Sequence, residues 1–200
     1  MSGHVSGELL TESTRRRLTG RQADTVRRLT VAAVDEVRET GFEGMTVRNV
    51  ARRAGVAPAT AYTYFSSKNH LITEVFWRRL SALPPIEPGS ADRTSTAEAR
   101  AQVTAVLREI ALLVSDEPQL AAACTAAMLG ADPDVQELRG RIGLTIRRRL
   151  RAALGAHADH KILNALELAY AGALVHAGMG YTSYGETAER LTEIAELIVR

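Results

Sequence analysis

The sequence predicts an all-α chain of nine helices with no strands, and three observations carry that expectation. Apolar residues recur at spacings of three and four along most of the 200 residues, which is the period of one helix face. Beyond residue 97 the chain is rich in alanine and leucine and almost free of strand signals. Prolines and glycines then divide it: Pro58, Pro118 and Pro133 stand where helices start, and Gly41, Gly55, Gly155 and Gly185 where they break. The stretch PPIEPGSADRTST at 84–96 is the clearest boundary, because proline and small polar residues interrupt every periodic pattern. The organisation expected is an N-terminal arm at 1–20, a small helical domain at 21–83, a linker at 84–96 and a second helical domain at 97–200.

Taken in order, residues 1–20 carry Ser, Thr, Gly and charge without a sustained apolar period. Arg15, Arg16 and Arg17 suit the negative potential of a neighbouring minor groove; the other reading is a solubilising tail. The first helix, 21–40, places Val26, Leu29, Ala33 and Val37 on one face, and Gly41 closes it. Phe42 and Met45 belong to the core. In 46–53, Val47, Val50 and Ala51 share one face, and Arg48, Asn49, Arg52 and Arg53 the other. Thr46 is the N-cap. Ala54-Gly55-Val56 makes a turn in which Gly55 takes the left-handed conformation and Val56 returns to the core. Pro58 opens the next short helix. Ser66 and Ser67 cap a fourth helix carrying Leu71, Ile72, Val75, Phe76 and Leu80, which stops before Pro84-Pro85. Further helices are expected at 97–115, 119–131, 134–153, 160–182 and 187–199.

Two short helices joined by a glycine-bearing turn form the helix-turn-helix pattern, whose second helix enters the DNA major groove. The run GFEGMTVRNVARRAGVAPATAYTYFSSKNHLI resembles the DNA-binding domain of the TetR family of transcriptional regulators. The matching positions are Gly41, Phe42, Thr46, Val50, Ala51, Ala54, Gly55, Val56, Thr60, Tyr62, Tyr64, Phe65, Ser67, Lys68 and Leu71. The resemblance covers roughly residues 21–80; beyond it the chain matches the family in length and helical character. It departs where Glu36 and Val37 stand, positions at which the family usually carries an apolar residue and a large aromatic.

The resemblance implies which residues meet DNA. Thr46, Tyr62, Tyr64 and Lys68 fall where the family sets phosphate contacts or supports the recognition helix, and phosphate contacts fix register. Base readout falls to Arg48, Thr60 and Thr63 and to the apolar Ala57, Pro58 and Ala59. A bidentate arginine prefers guanine, and small apolar side chains suit thymine methyl groups. Arg52 and Arg53 read as solvated or phosphate-adjacent. Ala57 replaces the usual Ser or Thr cap, at about 1 kcal/mol of helix stabilisation. Charge agrees: 1–83 holds 13 Lys/Arg against 8 Asp/Glu, a net of +5, while 84–200 has a net of −3.

The same resemblance implies a homodimer on a palindromic operator, built from the last two helices, and a small-molecule effector held among the middle helices. Ala169, Gly172, Ala173, Ala177 and Gly180 are small residues at helical spacing, suited to close approach; Leu191, Ile194, Leu197 and Ile198 form the last apolar face. Packing within the chain is the other use of that seam. Trp77, Leu107, Met128, Tyr170 and Met179 are candidate pocket walls, with plain core as the alternative. Aromatics are only 4%, which favours an aliphatic effector over a large flat one.

Other functions find little footing. The one cysteine, Cys124, lies in an apolar run and reads as a buried small residue. His157 and His160 lack further ligands nearby, so no metal and no cofactor is expected. Arg147, Arg148 and Arg149 read as a solvated face or an anionic-ligand site. No phosphate loop or nucleophile–base set suggests an enzyme. No apolar run approaches the ~20 residues that span a membrane, and no signal-peptide core is seen. The expectation is a cytoplasmic, ligand-responsive repressor. An effector-independent activator or architectural factor is the alternative.

Overall fold

The computed structural model describes residues 20–86 and 95–200. The arginine-bearing arm and most of the 84–96 linker lie outside the described residues. Within them the chain forms nine α-helices and no strand. Two compact units emerge, one from Met1–Ala82 with Ala126–Arg139, the other from Leu83–Thr125 with Gly140–Arg200. Each unit is discontinuous, so no single cut in the chain separates them.

The first unit holds α1 (Gly20–Gly44), α2 (Val47–Arg53), α3 (Pro58–Tyr64) and α4 (Lys68–Ala82). In α1, Val26, Leu29, Ala33 and Val37 are fully buried, as their spacing requires. The helical run is broken at Gly41, whose φ of 68° lies outside the helix region, so Phe42 to Gly44 form a separate turn. Met45 is core, whereas Phe42 is half-buried with the Lys68 ammonium 4.5 Å over its ring. At the start of α4, Ser67 alone caps: its hydroxyl accepts from the His70 N–H at 3.1 Å. Ser66 instead donates to Asp134, and the Asn69 amide donates to Asp132 at 2.9 Å. The 126–139 segment is thereby fastened to the head of α4. From His70 to Trp77 every residue of α4 is buried, including Glu74, whose carboxylate accepts from Arg78 Nε at 2.9 Å.

The second unit holds α5 (Thr96–Ala111), most of α6 (Pro118–Met128), the later turns of α7 (Pro133–Leu154), a 3₁₀ turn (Gly155–His157), α8 (His160–Gly178) and α9 (Tyr184–Ile198). Helix α9 packs on α5 and α8. Pro118 and Pro133 each occupy a first helical position. Several ends differ from expectation: α6 ends at Met128 rather than at 131, and four others differ for a local reason. Helices α5 and α9 begin earlier because Ser95 and Ser183 make capping boxes with Glu98 and Glu186, which places Gly185 inside α9 rather than in a break. Helix α5 stops at Ala111, where Ser115 folds back with both hydroxyl and N–H on the Leu112 carbonyl. Helix α8 stops at Gly178, because Gly180 takes φ 80° and the Tyr181 N–H returns to the His176 carbonyl at 3.1 Å. The Tyr181 and His176 rings then meet at 5.5 Å, the apolar contact that accompanies such an end.

The three arginines of α7 do not share a solvated face. Arg147 reaches Asn164 and Glu167 at 3.1 and 2.6 Å, Arg148 is exposed, and Arg149 is buried against Glu109 and the Pro84 carbonyl. At the 157–160 stretch the cap is Asp159, which accepts from the Lys161 N–H at 2.7 Å. Among the described residues no group of three His, Cys, Asp or Glu is placed to hold a metal ion. No helix there is long and apolar enough to cross a membrane.

Candidate nucleic-acid interface

Helices α2 and α3 are seven residues each, too short to persist alone, so their geometry comes from caps, the turn, and the packing of α2 on α1 and of α3 on α2. Thr46 caps α2 by accepting the Asn49 N–H at 3.1 Å. The turn closes with Gly55 at φ 62°, its N–H on the Arg52 carbonyl at 3.1 Å and the Val56 N–H on Ala51 at 2.8 Å. That pair of bonds is the paired closure that needs a left-handed residue. Val56 is half-buried, not fully returned to the core. Helix α3 then starts at Pro58 after Ala57, which offers no side-chain cap.

Burial sorts the side chains. Val47, Val50, Ala51, Ala61 and Phe65 form the core under the two helices. Facing out are Thr46, Arg48, Arg52, Ala57, Pro58, Ala59, Thr60, Tyr62 and Thr63. Tyr62 is 46% exposed while Tyr64 is 7%, so two aromatics two positions apart split between surface and core. Thr63 donates its hydroxyl to the Ala59 carbonyl at 3.1 Å, leaving oxygen lone pairs outward. Arg48 makes no hydrogen bond or ion pair to another described residue. The outer edge is therefore a short apolar step, Ala57 to Ala59, flanked by hydroxyls, one phenol and cations.

Three cations hold this head to α1. The Arg28 guanidinium donates to the Ala54 and Gly55 carbonyls, closing over the turn. Arg53 donates from Nε to Glu36 at 2.9 Å and from both terminal nitrogens to Glu39. The Arg53 hydrogen bonds hold the Glu39 carboxyl below its ordinary value, and those carboxylates push the guanidinium further up. Lys68 donates Nζ to the Phe42 carbonyl at 2.8 Å, so its ammonium is held at the end of α1. Sequence reasoning missed Arg28 and the Glu36–Arg53–Glu39 group. The one available signal was Glu36, a charge on an otherwise apolar face.

The remaining candidates are dispersed. Trp77 and Leu107 are buried, Met128 is half-buried, and Met179 is 62% exposed at the C-cap of α8, so it lines no interior wall. Tyr170 is half-buried, its phenol pushed up to about 12 by burial and the nearby Glu167. It lines an open cleft of about 620 Å³ between α7 and α8, with Gly140, Gly143, Leu144, Arg147 and Leu168. Of the seam, Gly172 is exposed and Ala169 and Ala173 are half-buried, whereas Ala177 is buried and Gly180 lies beyond the helix. Leu191 is 1% exposed and sits in the chain's own core; Ile194 and Ile198 are half-buried.

The model of the bacterial regulatory proteins of the tetR family matches residues 29–75. An uncharacterised HTH-type transcriptional regulator of Mycobacterium tuberculosis is 48% identical over 181 residues, 90% of this chain and 82% of the relative. In fold, the chain is similar to a TetR transcriptional regulator from Rhodococcus sp. RHA1, with TM-score 0.69, 24% identity, and 86% and 95% of the two chains covered. It is also similar to the regulator FadR from Bacillus subtilis in complex with stearoyl-CoA, with TM-score 0.61, 19% identity, and 86% and 97% covered. The near-full-length relative, the matched domain and the exposed two-helix head agree: this chain belongs to the TetR family of DNA-binding transcriptional regulators.

Proposed function

We propose that the chain is a ligand-responsive repressor that binds a palindromic operator as a homodimer and lets go when a small molecule binds. The observation that carries the DNA part is the outward edge Arg48, Ala57, Pro58, Ala59, Thr60, Tyr62 and Thr63, held on a buried scaffold. In this reading Arg48 takes one guanine per half-site, and Ala57 to Ala59 lie against thymine methyl groups. Thr46, Tyr62 and the helix starts meet phosphates; Lys68 and Tyr64 hold α3 in place.

The dimer contact is assigned to the outer faces of α8 and α9, where Leu168 is 77% exposed beside Gly172 and half-buried Ala169 and Ala173. Ile194 and Ile198 continue it. A two-fold pair would set its recognition helices about 34–36 Å apart, one turn of DNA. For the effector, residues 97–200 are the proposed holder, and a long-chain acyl-CoA is the first class to test. The fold likeness to the stearoyl-CoA-bound regulator and the low aromatic content support that choice.

The test is a fluorescence-anisotropy titration with the gene's own upstream DNA and a scrambled duplex, at two salt concentrations, with and without stearoyl-CoA. Tight, two-fold symmetric binding that the acyl-CoA abolishes is expected. Sequence-specific binding indifferent to any ligand would instead favour an effector-independent factor. Arg48→Ala should lose affinity mainly where the guanine is present; equal loss on every sequence would make Arg48 a phosphate contact.

A further inference from the structure

Arg53 is the last residue of α2 and stands five residues before Pro58, the exposed start of α3. Its guanidinium spends three of its five N–H groups on carboxylates: Nε–H to Glu36 at 2.9 Å, and one from each terminal nitrogen to Glu39 at 2.8 and 2.5 Å. One cation between two carboxylates leaves the group with a formal charge of −1, so an approaching phosphate meets net repulsion. Glu36 is itself 5% exposed and has Arg53 as its ion-pair partner. A carboxylate buried that far is tolerated only with a charged hydrogen-bond donor on it.

Neighbouring cations differ. Arg52 is exposed and donates to the neutral Asn49 amide oxygen at 2.6 Å, so its full positive charge remains for DNA. Arg28 sits on backbone carbonyls and also keeps its charge. Adjacent arginines on one helix thus have different electrostatic fates, decided by which carboxylates α1 presents.

From this we infer that Arg53, clamped between Glu36 and Glu39, is a positioning residue that sets the angle of the recognition helix, while Arg52 is the phosphate-facing member of the pair. The inference rests on the reading of α2 and α3 as the DNA-reading element. Two features make the clamp matter. The turn from Ala54 to Ala57 is short, so a tilt of α2 carries directly into α3. Helix α3 has no side-chain cap to fix its own start, and is otherwise located by Ala61, Tyr64 and Phe65 in the core.

The experiment uses the full chain, the duplex that the wild-type chain enriches from a random pool, and a scrambled duplex of equal composition. Each variant is titrated across a salt series, and its thermal midpoint is recorded. Arg52→Ala should reduce the slope of log affinity against log salt by about 1.8, about 0.9 for each of the two phosphates a dimer would lose. Arg53→Met should leave that slope nearly unchanged, since no phosphate contact is lost, and should weaken the enriched duplex by roughly tenfold more than it weakens scrambled DNA, which feels only the added negative charge. Because Arg53→Met strands a buried carboxylate, the double variant Glu36→Met/Arg53→Met provides a chain that packs without it. It should recover the thermal midpoint but not the affinity for the enriched duplex. A slope reduced by about 1.8 in Arg53→Met would make Arg53 a phosphate contact in each half of the dimer and overturn the inference. So would recovery of affinity in step with the midpoint in the double variant, which marks a merely stabilising pair. If the wild-type chain enriches no sequence, the DNA-reading assignment itself fails and this inference falls with it.

Discussion

Gly55→Ala probes the turn on which the reading head depends. Gly55 has φ 62°, where a Cβ costs an L-residue about 1–2 kcal/mol. The added Cβ would also lie 3.0 Å from the Arg28 guanidinium nitrogen, which bonds the Ala54 and Gly55 carbonyls. That nitrogen ends a flexible, exposed side chain, so it moves aside, and the weakened bonds cost about 1 kcal/mol more. Against this, alanine restricts the unfolded chain and returns about 0.4–1 kcal/mol. The net expectation is a loss of about 2 kcal/mol, or about 4–8 °C in thermal midpoint for a chain of this length. Urea unfolding followed by far-ultraviolet circular dichroism measures it, and Arg28→Ala with the double variant completes a cycle. The Arg28 contribution predicts a coupling of about 1 kcal/mol between the two sites. A Gly55→Ala chain within about 0.5 kcal/mol of wild type would refute the left-handed turn as a determinant of stability.

Other consequences are as direct. Ala57→Ser supplies the missing cap of α3 and should raise stability by about 0.5–1 kcal/mol, read from the same urea curves. Gly178→Ala would set a Cβ 2.6 Å from the Thr125 Cβ, a stiff branched neighbour, and should lower stability by about 1–3 kcal/mol. The carboxyls of Glu98 and Glu186 are held below 4.5 by the Ser95 and Ser183 backbone N–H groups, and Asp132 below 3.8 by the Asn69 amide. Their folded values are lower than their unfolded ones, so this stabilisation is complete above those ordinary values and drains as pH falls through the folded ones. The thermal midpoint should thus hold from neutrality to about pH 5 and decline below about pH 4. Glu98→Gln with Glu186→Gln, which removes the titrating carboxyls, should make that decline shallower in a pH series.

Much of this fold was readable because its signals are local. Val26, Leu29, Ala33 and Val37 repeat at helix spacing and are fully buried. Pro58, Pro118 and Pro133 open helices because the ring suits a first turn. The misplaced ends were local too, but their marks were side-chain bonds rather than periodicity: Ser95 to Glu98 and Ser183 to Glu186. The spacing of Tyr62 and Tyr64 excluded a shared face, yet which ring turned inward depended on the core beneath Ala61 and Phe65. The pairs Arg53 with Glu36, Arg28 with Ala54 and Arg149 with Glu109 lie 17, 26 and 40 residues apart. No sequence spacing announces them, because they exist only once two helices cross at a particular angle.

Those long-range ties bear on how so plain an edge would work in the proposed DNA reading. Longer hydroxyl and amide side chains can turn their donors and acceptors toward a base edge, whereas a methyl group fixed to the backbone cannot reach, and a gap of about 0.5–1 Å forfeits a quarter to a half of its contact with a thymine methyl. An edge of Ala57, Pro58 and Ala59 therefore needs its helix held in place more firmly than a polar edge would. The seven residues of α3 cannot supply that rigidity, and Ala57 gives no cap. It comes from outside, through Arg28 on the turn, Arg53 on Glu36 and Glu39, and Lys68 on the end of α1. All three ties meet α1, so that helix acts as the frame against which the apolar edge is held, and in the proposed reading a buried glutamate on it serves the surface that α3 would offer to DNA.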